Sequence, residues 1–178
     1  MPRTKIIVDL TKRLLILGAF LATMLPASAQ TSFEALLDPS QEVPPHNTPA
    51  YGSADFTLSG TTLSINAGTG IYNDLLAGAT RVSLNDAAPG MNGPTIFTFT
   101  LDTPGQTSGT YEGSGTMTAG QITDLNNGNV YINISDSVYP SGEIRGQLEA
   151  VPEPSALALL AVGSLGLSAL LIFRRLKS

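Results

Sequence analysis

The sequence predicts an all-β fold: an antiparallel Greek-key β-sandwich, flanked by an N-terminal signal helix and a C-terminal transmembrane helix. Three observations predict it. Apolar and polar residues alternate with the period of a half-buried strand through much of residues 30–150. Clusters of Gly, Pro and Asn interrupt that alternation at short intervals. No long helical period lies between them, whereas both chain ends carry uncharged apolar runs.

The elements follow in order. Phe33–Leu37 is the first expected strand, and Pro44-Pro45 and Pro49 break the chain after it. Ala54, Phe56 and Leu58 then alternate with Ser53, Asp55 and Thr57, and Leu63 and Ile65 with Thr62 and Ser64. Ser59-Gly60-Thr61 between them reads as a hairpin connection. Val82 and Leu84 alternate with Arg81 and Ser83. Thr95–Leu101 is rich in β-branched and aromatic residues. Tyr111–Thr118 places Gly113 and Gly115 on one face, which marks a bulge or a close backbone approach. Val130, Ile132 and Ile134 alternate with Tyr131, Asn133 and Ser135. Ile144, Leu148 and Ala150 face one way, and Glu143, Arg145, Gln147 and Glu149 the other. About eight strands are expected, separated by turns such as Ala88-Pro89-Gly90, Asn92-Gly93-Pro94, Asp102-Thr103-Pro104-Gly105 and Asn127-Gly128.

The ends set the compartment. Arg3, Lys5, Lys12 and Arg13 precede the apolar stretch Leu14–Pro26, and Ala27-Ser28-Ala29 offers small residues for cleavage. That is the pattern of a secretory signal peptide, residues 1–29, with Ala27 and Ala29 at the cleavage positions and Gln30 as the new start. At the other end, Ser155–Phe173 is an uncharged run of 19 residues. At about 1.5 Å per residue it spans roughly 28 Å, near the thickness of a bilayer core. Arg174, Arg175 and Lys177 behind it should stay cytoplasmic. Export through the secretion translocon and trimming by signal peptidase follow as expectations, with transient membrane attachment through the C-terminal helix.

Residues 30–150 remain as one domain of 121 residues, long enough for its own core. The chain has no cysteine, so burial and the sheet ladder must hold that domain without disulfides. Seven of the nine Lys and Arg residues lie in the two ends. The domain therefore sets Arg81 and Arg145 against twelve carboxylates, a net charge of −10. Such a field favours solubility and repels nucleic acid or an anionic glycan.

Catalytic machinery is not expected. A Ser nucleophile needs an adjacent base, and His46 is the only histidine, in a proline-flanked loop where it should be exposed. One imidazole makes no zinc or copper site. The acids sit on strand faces and in turns, with nothing that places two across a cleft. Asp124–Asn129 is oxygen-rich but lacks the spacing of a calcium loop, and reads as a plain turn. Glu143 and Arg145 share a strand face, where they should pair with opposite charges and fix sheet register. No catalytic residue, cofactor or metal ligand is assigned.

Two resemblances add to this reading. Pro152-Glu153-Pro154, the apolar run and the Arg174-Arg175 tail together resemble the PEP-CTERM sorting signal, residues 151–178. The resemblance implies recognition and removal of the tag by an exosortase-type membrane protease. Separately, Phe33–Leu37, Gln41–Pro45 and Gly52–Phe56 look like the opening of a CHRD (chordin-type) domain. Val130–Ile134 and Pro140–Leu148, with Gly142, Glu143, Arg145 and Gly146 as the structural family motif, are similar to its close. This resemblance implies an immunoglobulin-like or superoxide-dismutase-like sandwich, and little about activity. The family often carries histidines where this chain has Arg81-Val82-Ser83 and Ser135, so any metal ligands among them are missing here. The expected function is a non-enzymatic cell-surface or extracellular-matrix protein acting in adhesion or exopolysaccharide association. A ligand- or metal-dependent enzyme of sandwich type is the alternative.

Overall fold

Alternation dictates the first two strands and the core between them. The computed structural model describes residues 30–152. In β1 (Gln30–Leu37) every second residue points inward, burying Phe33, Ala35 and Leu37. In β2 (Tyr51–Ser59) Ala54, Phe56 and Leu58 do the same. The two pair antiparallel, with Phe33 opposite Phe56, so both apolar sets fall on one face. The hairpin to β3 (Thr62–Ile65) turns at Gly60, whose φ of 60° suits a residue without a Cβ.

The remaining strands are β4 (Ile71–Asn73), β5 (Arg81–Asp86), β6 (Thr95–Leu101), β7 (Gly109–Glu112), β8 (Ser114–Thr116), β9 (Val130–Ser135), β10 (Ile144–Gln147) and β11 (Glu149–Val151). All pairings are antiparallel, in the order β10-β9-β5-β6-β7-β4-β2-β1-β11, with β3 branching from β2 and β8 pairing with β3. Asp38 and Arg145 exchange backbone hydrogen bonds of 3.1 and 3.3 Å, which tie β10 to the end of β1. The core gathers Phe33, Phe56, Leu63, Val82, Leu84, Ile132, Ile134 and Ile144 into one buried cluster. Phe56 and Phe99 meet across it at 6.0 Å between ring centroids. Each such ring contributes on the order of 2–3 kcal/mol of apolar burial.

The glycine expectation holds in detail. Gly113, at φ 140°, separates β7 from β8. A Cβ on Gly115 would lie 2.5 Å from the Phe97 ring, so the glycine is required by close approach.

Four sequence expectations need correction. Eleven strands are present among the described residues, not about eight, because the three-residue β4 shows too little alternation and the strands expected over 111–118 and 143–150 are each broken in two, at Gly113 and Leu148. A helix, α1 (Ala119–Asn126), takes in Asp124–Asn126, so only 127–129 form the turn expected there. Thr118 and Gln121 cap its first turn reciprocally. β9 is buried on both faces rather than one. Glu143 and Arg145 are 0% and 1% exposed, not on a solvated face.

Among the described residues no helix is long and apolar enough to cross a membrane. The signal segment with Ala27 and Ala29, the expected span 155–173, and Glu153, Pro154, Arg174 and Arg175 lie outside the described residues.

Candidate functional site

The outer face of β5, β9 and β10 carries polar side chains, yet it is covered. Register sets Ser83, Asn133 and Arg145 in one row, and Asn85, Tyr131 and Gln147 in the next. Two loops lie over this face, residues 38–50 and 87–94, and leave Ser83, Asn85, Tyr131, Asn133 and Arg145 at most 5% exposed. Asn92 joins the loops by donating from Nδ2 to the Val43 carbonyl at 2.9 Å.

Arg145 is the centre. Its guanidinium lies 3.4 Å from the centroid of the Tyr131 ring. It donates from Nη1 to the Met91 carbonyl at 2.7 Å. From Nη2 it donates to the Ala88 carbonyl at 3.3 Å and to Gln147 Oε1 at 3.2 Å. Burying a guanidinium costs several kcal/mol, which these charge-assisted bonds offset. Burial lowers the Arg145 pKa, while Tyr131 and Glu42 oppose that shift. Instead of a register-fixing ion pair, Arg145 pins the 87–94 loop. Gln147 acts beside it, donating from Nε2 to the carbonyls of Ala87 at 3.0 Å and Gly128 at 2.6 Å.

Glu143 and Asp136 form a second fastening. Glu143 accepts from the Leu76 N–H at 3.0–3.1 Å, and Asp136 from the N–H groups of Ala77, Val138 and Tyr139 at 2.8, 3.0 and 2.5 Å. Burial raises the Glu143 pKa, and the bond and charge of Asp136 add to it. Two buried carboxyls therefore interact directly, inside the domain and not across a cleft. Gly142 and Gly146 supply space. A Cβ on Gly142 would sit 2.1 Å from Asn133 Oδ1, and one on Gly146 would sit 2.7 Å from the Leu36 carbonyl.

Glu42 lies where these parts meet, and sequence reasoning missed it. Its Oε1 and Asn133 Oδ1 are buried acceptors with no donor from the protein. Asn133 Nδ2 donates to the Ser141 carbonyl at 2.9 Å, which leaves Oδ1 as the amide's unpartnered acceptor. Both oxygens fall within 2.5 Å of the point where a Gly142 Cβ would be. A neutral Glu42 would bring a donor to this pair of unpartnered oxygens. Burial pushes the Glu42 pKa up to about 7, against the attraction of Arg145.

A cleft of about 400 Å³ opens beside this group, with Gln41, Glu42, Val43, Pro45, Pro89 and Arg145 in its walls. Glu42 can exchange a proton there near neutral pH. Among the described residues no three His, Cys, Asp or Glu side chains are arranged to hold a metal ion. His46 is half-buried rather than exposed, with its ring 4.1 Å from that of Tyr139. Pro152 follows β11 and is exposed.

The fold and this polar layer define a mostly β domain whose last strands fasten its loops. A CHRD domain model matches residues 33–148, and a PEP-CTERM protein-sorting motif matches residues 150–175. The chain belongs to the CHRD domain family and carries a PEP-CTERM sorting motif. No curated protein and no solved structure matches it. The motif implies an exported protein processed at the membrane by an exosortase-type protease.

Proposed function

We propose that the chain is a non-enzymatic surface or extracellular-matrix protein, delivered by its two ends and left outside as a β-domain of residues 30–150. In this reading the secretion translocon and signal peptidase act first, at Ala27 and Ala29. The exosortase-type protease then acts near Pro152, Glu153 and Pro154, with Arg174 and Arg175 holding the tail inside. The domain, an antiparallel Greek-key sandwich in this reading, acts in adhesion or exopolysaccharide association.

The observation that carries the reading is how the polar groups of residues 142–148 are used. Arg145, Gln147 and Glu143 spend their hydrogen bonds on loop backbone. The segment shared with the family thus supports a rigid scaffold. The enzyme alternative gains no support from the cleft or the family match.

The test uses the processed protein from a producing culture. Co-sedimentation with the producer's own exopolysaccharide is expected, with no stoichiometric transition metal by elemental analysis. Stoichiometric metal, or failure to co-sediment, refutes the reading.

A further inference from the structure

The sorting tag begins inside the folded domain. The matched motif starts at residue 150, whereas β11 spans Glu149–Val151 and pairs with β1. Only residues 152–154 separate the sheet from the apolar run at 155. Three extended residues reach at most roughly 10 Å. A protease that binds its substrate as an extended strand needs more free chain on the domain side than this.

β11 is built to leave. Its register is three residues long: Glu149 opposite Glu34, Ala150 opposite Phe33, Val151 opposite Ser32. All three of its residues are exposed. Glu34 and Glu149 place like charges directly opposite, which weakens a strand pair. Asp38, just past the end of β1, lines the same depression as Glu34 and Glu149. Behind β11 the chain is anchored: Leu148 is 0% exposed and its N–H donates to the Val130 carbonyl at 2.9 Å. Release can run back to Leu148 and stop, leaving the core intact. The free segment then becomes residues 149–154, roughly 20 Å when extended.

We infer that β11 is a detachable strand that must leave the edge of β1 before the sorting junction can be cut, so the β1–β11 pairing sets the rate of processing. The inference rests on the sorting reading above. It assigns Glu34 and Glu149 a role in keeping the strand loose, and Leu148 the role of stop.

The test is a reversible lock. The full-length chain carries Glu34→Cys and Glu149→Cys in a host with the exosortase-type protease. Facing residues of an antiparallel pair lie about 4.5–5.5 Å apart at Cα, within disulfide reach. The chain has no cysteine to compete. The cross-linked form, resolved on a non-reducing gel, should keep its tag and stay with the membrane. Reduction should restore processing, which shows that the variant is folded and competent. Processing of the cross-linked form at the wild-type rate overturns the inference. A charge cycle tests it without a cross-link. Glu34→Lys should slow processing roughly threefold by attracting Glu149, and adding Glu149→Lys should bring the rate back. An unchanged rate in the single variant also overturns the inference. If the wild-type chain itself keeps its tag in this host, the sorting reading fails, and the gating inference with it.

Discussion

Replacing Glu42 by Gln should stabilise the domain in mild alkali and leave it unchanged in acid. Burial raises the folded-state pKa of Glu42 from 4.5 to about 7. Below the unfolded value both states hold the proton, and the stability contribution of the neutral carboxyl is fully present. As the pH climbs, the unfolded chain releases its proton first and the folded chain last. The contribution is therefore lost progressively, and the loss is complete above about pH 7. A shift of about 2.5 units at 1.36 kcal/mol per unit corresponds to roughly 3 kcal/mol. The cleft admits solvent beside the group, and screening lowers the figure to about 2 kcal/mol. The amide that replaces the carboxyl does not titrate, and it brings a donor to the same place. Thermal unfolding of the processed protein and its variant, followed by circular dichroism between about pH 4 and pH 8, isolates this group, since every other carboxyl titrates in both proteins. The difference in Tm should be near zero at the acid end. It should reach roughly 6–10 °C in favour of the variant at the alkaline end, taking about 3–5 °C per kcal/mol for a domain of this size. A difference that does not change with pH refutes the raised pKa of Glu42 and the burial argued for it.

Other outcomes follow from the same layer. Arg145→Lys should cost about 3 kcal/mol in urea unfolding, because an ammonium cannot reproduce the fork to Met91 and Ala88. It should also raise proteolytic nicking within 87–94, while a cut pattern like that of the wild type would show that the loop is held otherwise. Gly142→Ala should destabilise by at least about 2 kcal/mol, because a Cβ meets both Asn133 and Glu42 and φ is 142°. Full stability in that variant would contradict the close approach. Phe56→Ala should cost about 3–5 kcal/mol by opening the core against Phe99. The intact mass of the extracellular form should lack both the signal peptide and residues 155–178, and a full-length C-terminus would contradict the processing reading.

The strands with inward apolar residues were legible because alternation reports one buried face directly. Phe33, Phe56, Val82 and Ile132 all fall where the period of two puts them. The same rule misassigned Glu143, Arg145 and Asn133. Period two separates the faces of a strand without saying what covers the second one. Here two proline-broken loops cover it, and their return onto the sheet depends on contacts far apart in sequence, such as Arg145 to Met91 and Gln147 to Ala87. Glu42 was illegible for that reason: nothing local marks a loop carboxylate as buried. The helix was different. Thr118 and Gln121 have the spacing of a capping box, so its start was written in the chain. Gly128, at φ 73°, follows its end. Its single buried residue, Leu125, left no apolar stripe to give the period away.

An exported domain without cysteine cannot staple its loops by disulfides, and loops of 38–50 and 87–94 would cost considerable entropy to order. Here residues 142–148 hold them through hydrogen bonds to loop carbonyls and N–H groups. Gly142 and Gly146 allow close approach, Ile144 and Leu148 fill the core, Arg145 and Gln147 fasten the 87–94 loop, and Glu143 fastens the backbone at Leu76. Selection for folding alone would preserve such a segment in proteins that bind quite different things. Sharing it therefore argues for a shared scaffold, and any ligand specificity must come from the residues that face solvent. On this chain those include Leu36, Tyr51, Leu76, Met91 and Val138, at 51–69% exposure. Substituting Met91 or Val138 by Ser should leave the unfolding midpoint within about 2 °C of the wild type, so any change in exopolysaccharide co-sedimentation would report contact rather than folding. A large drop in stability at either position would instead place it in the scaffold and break the separation argued here.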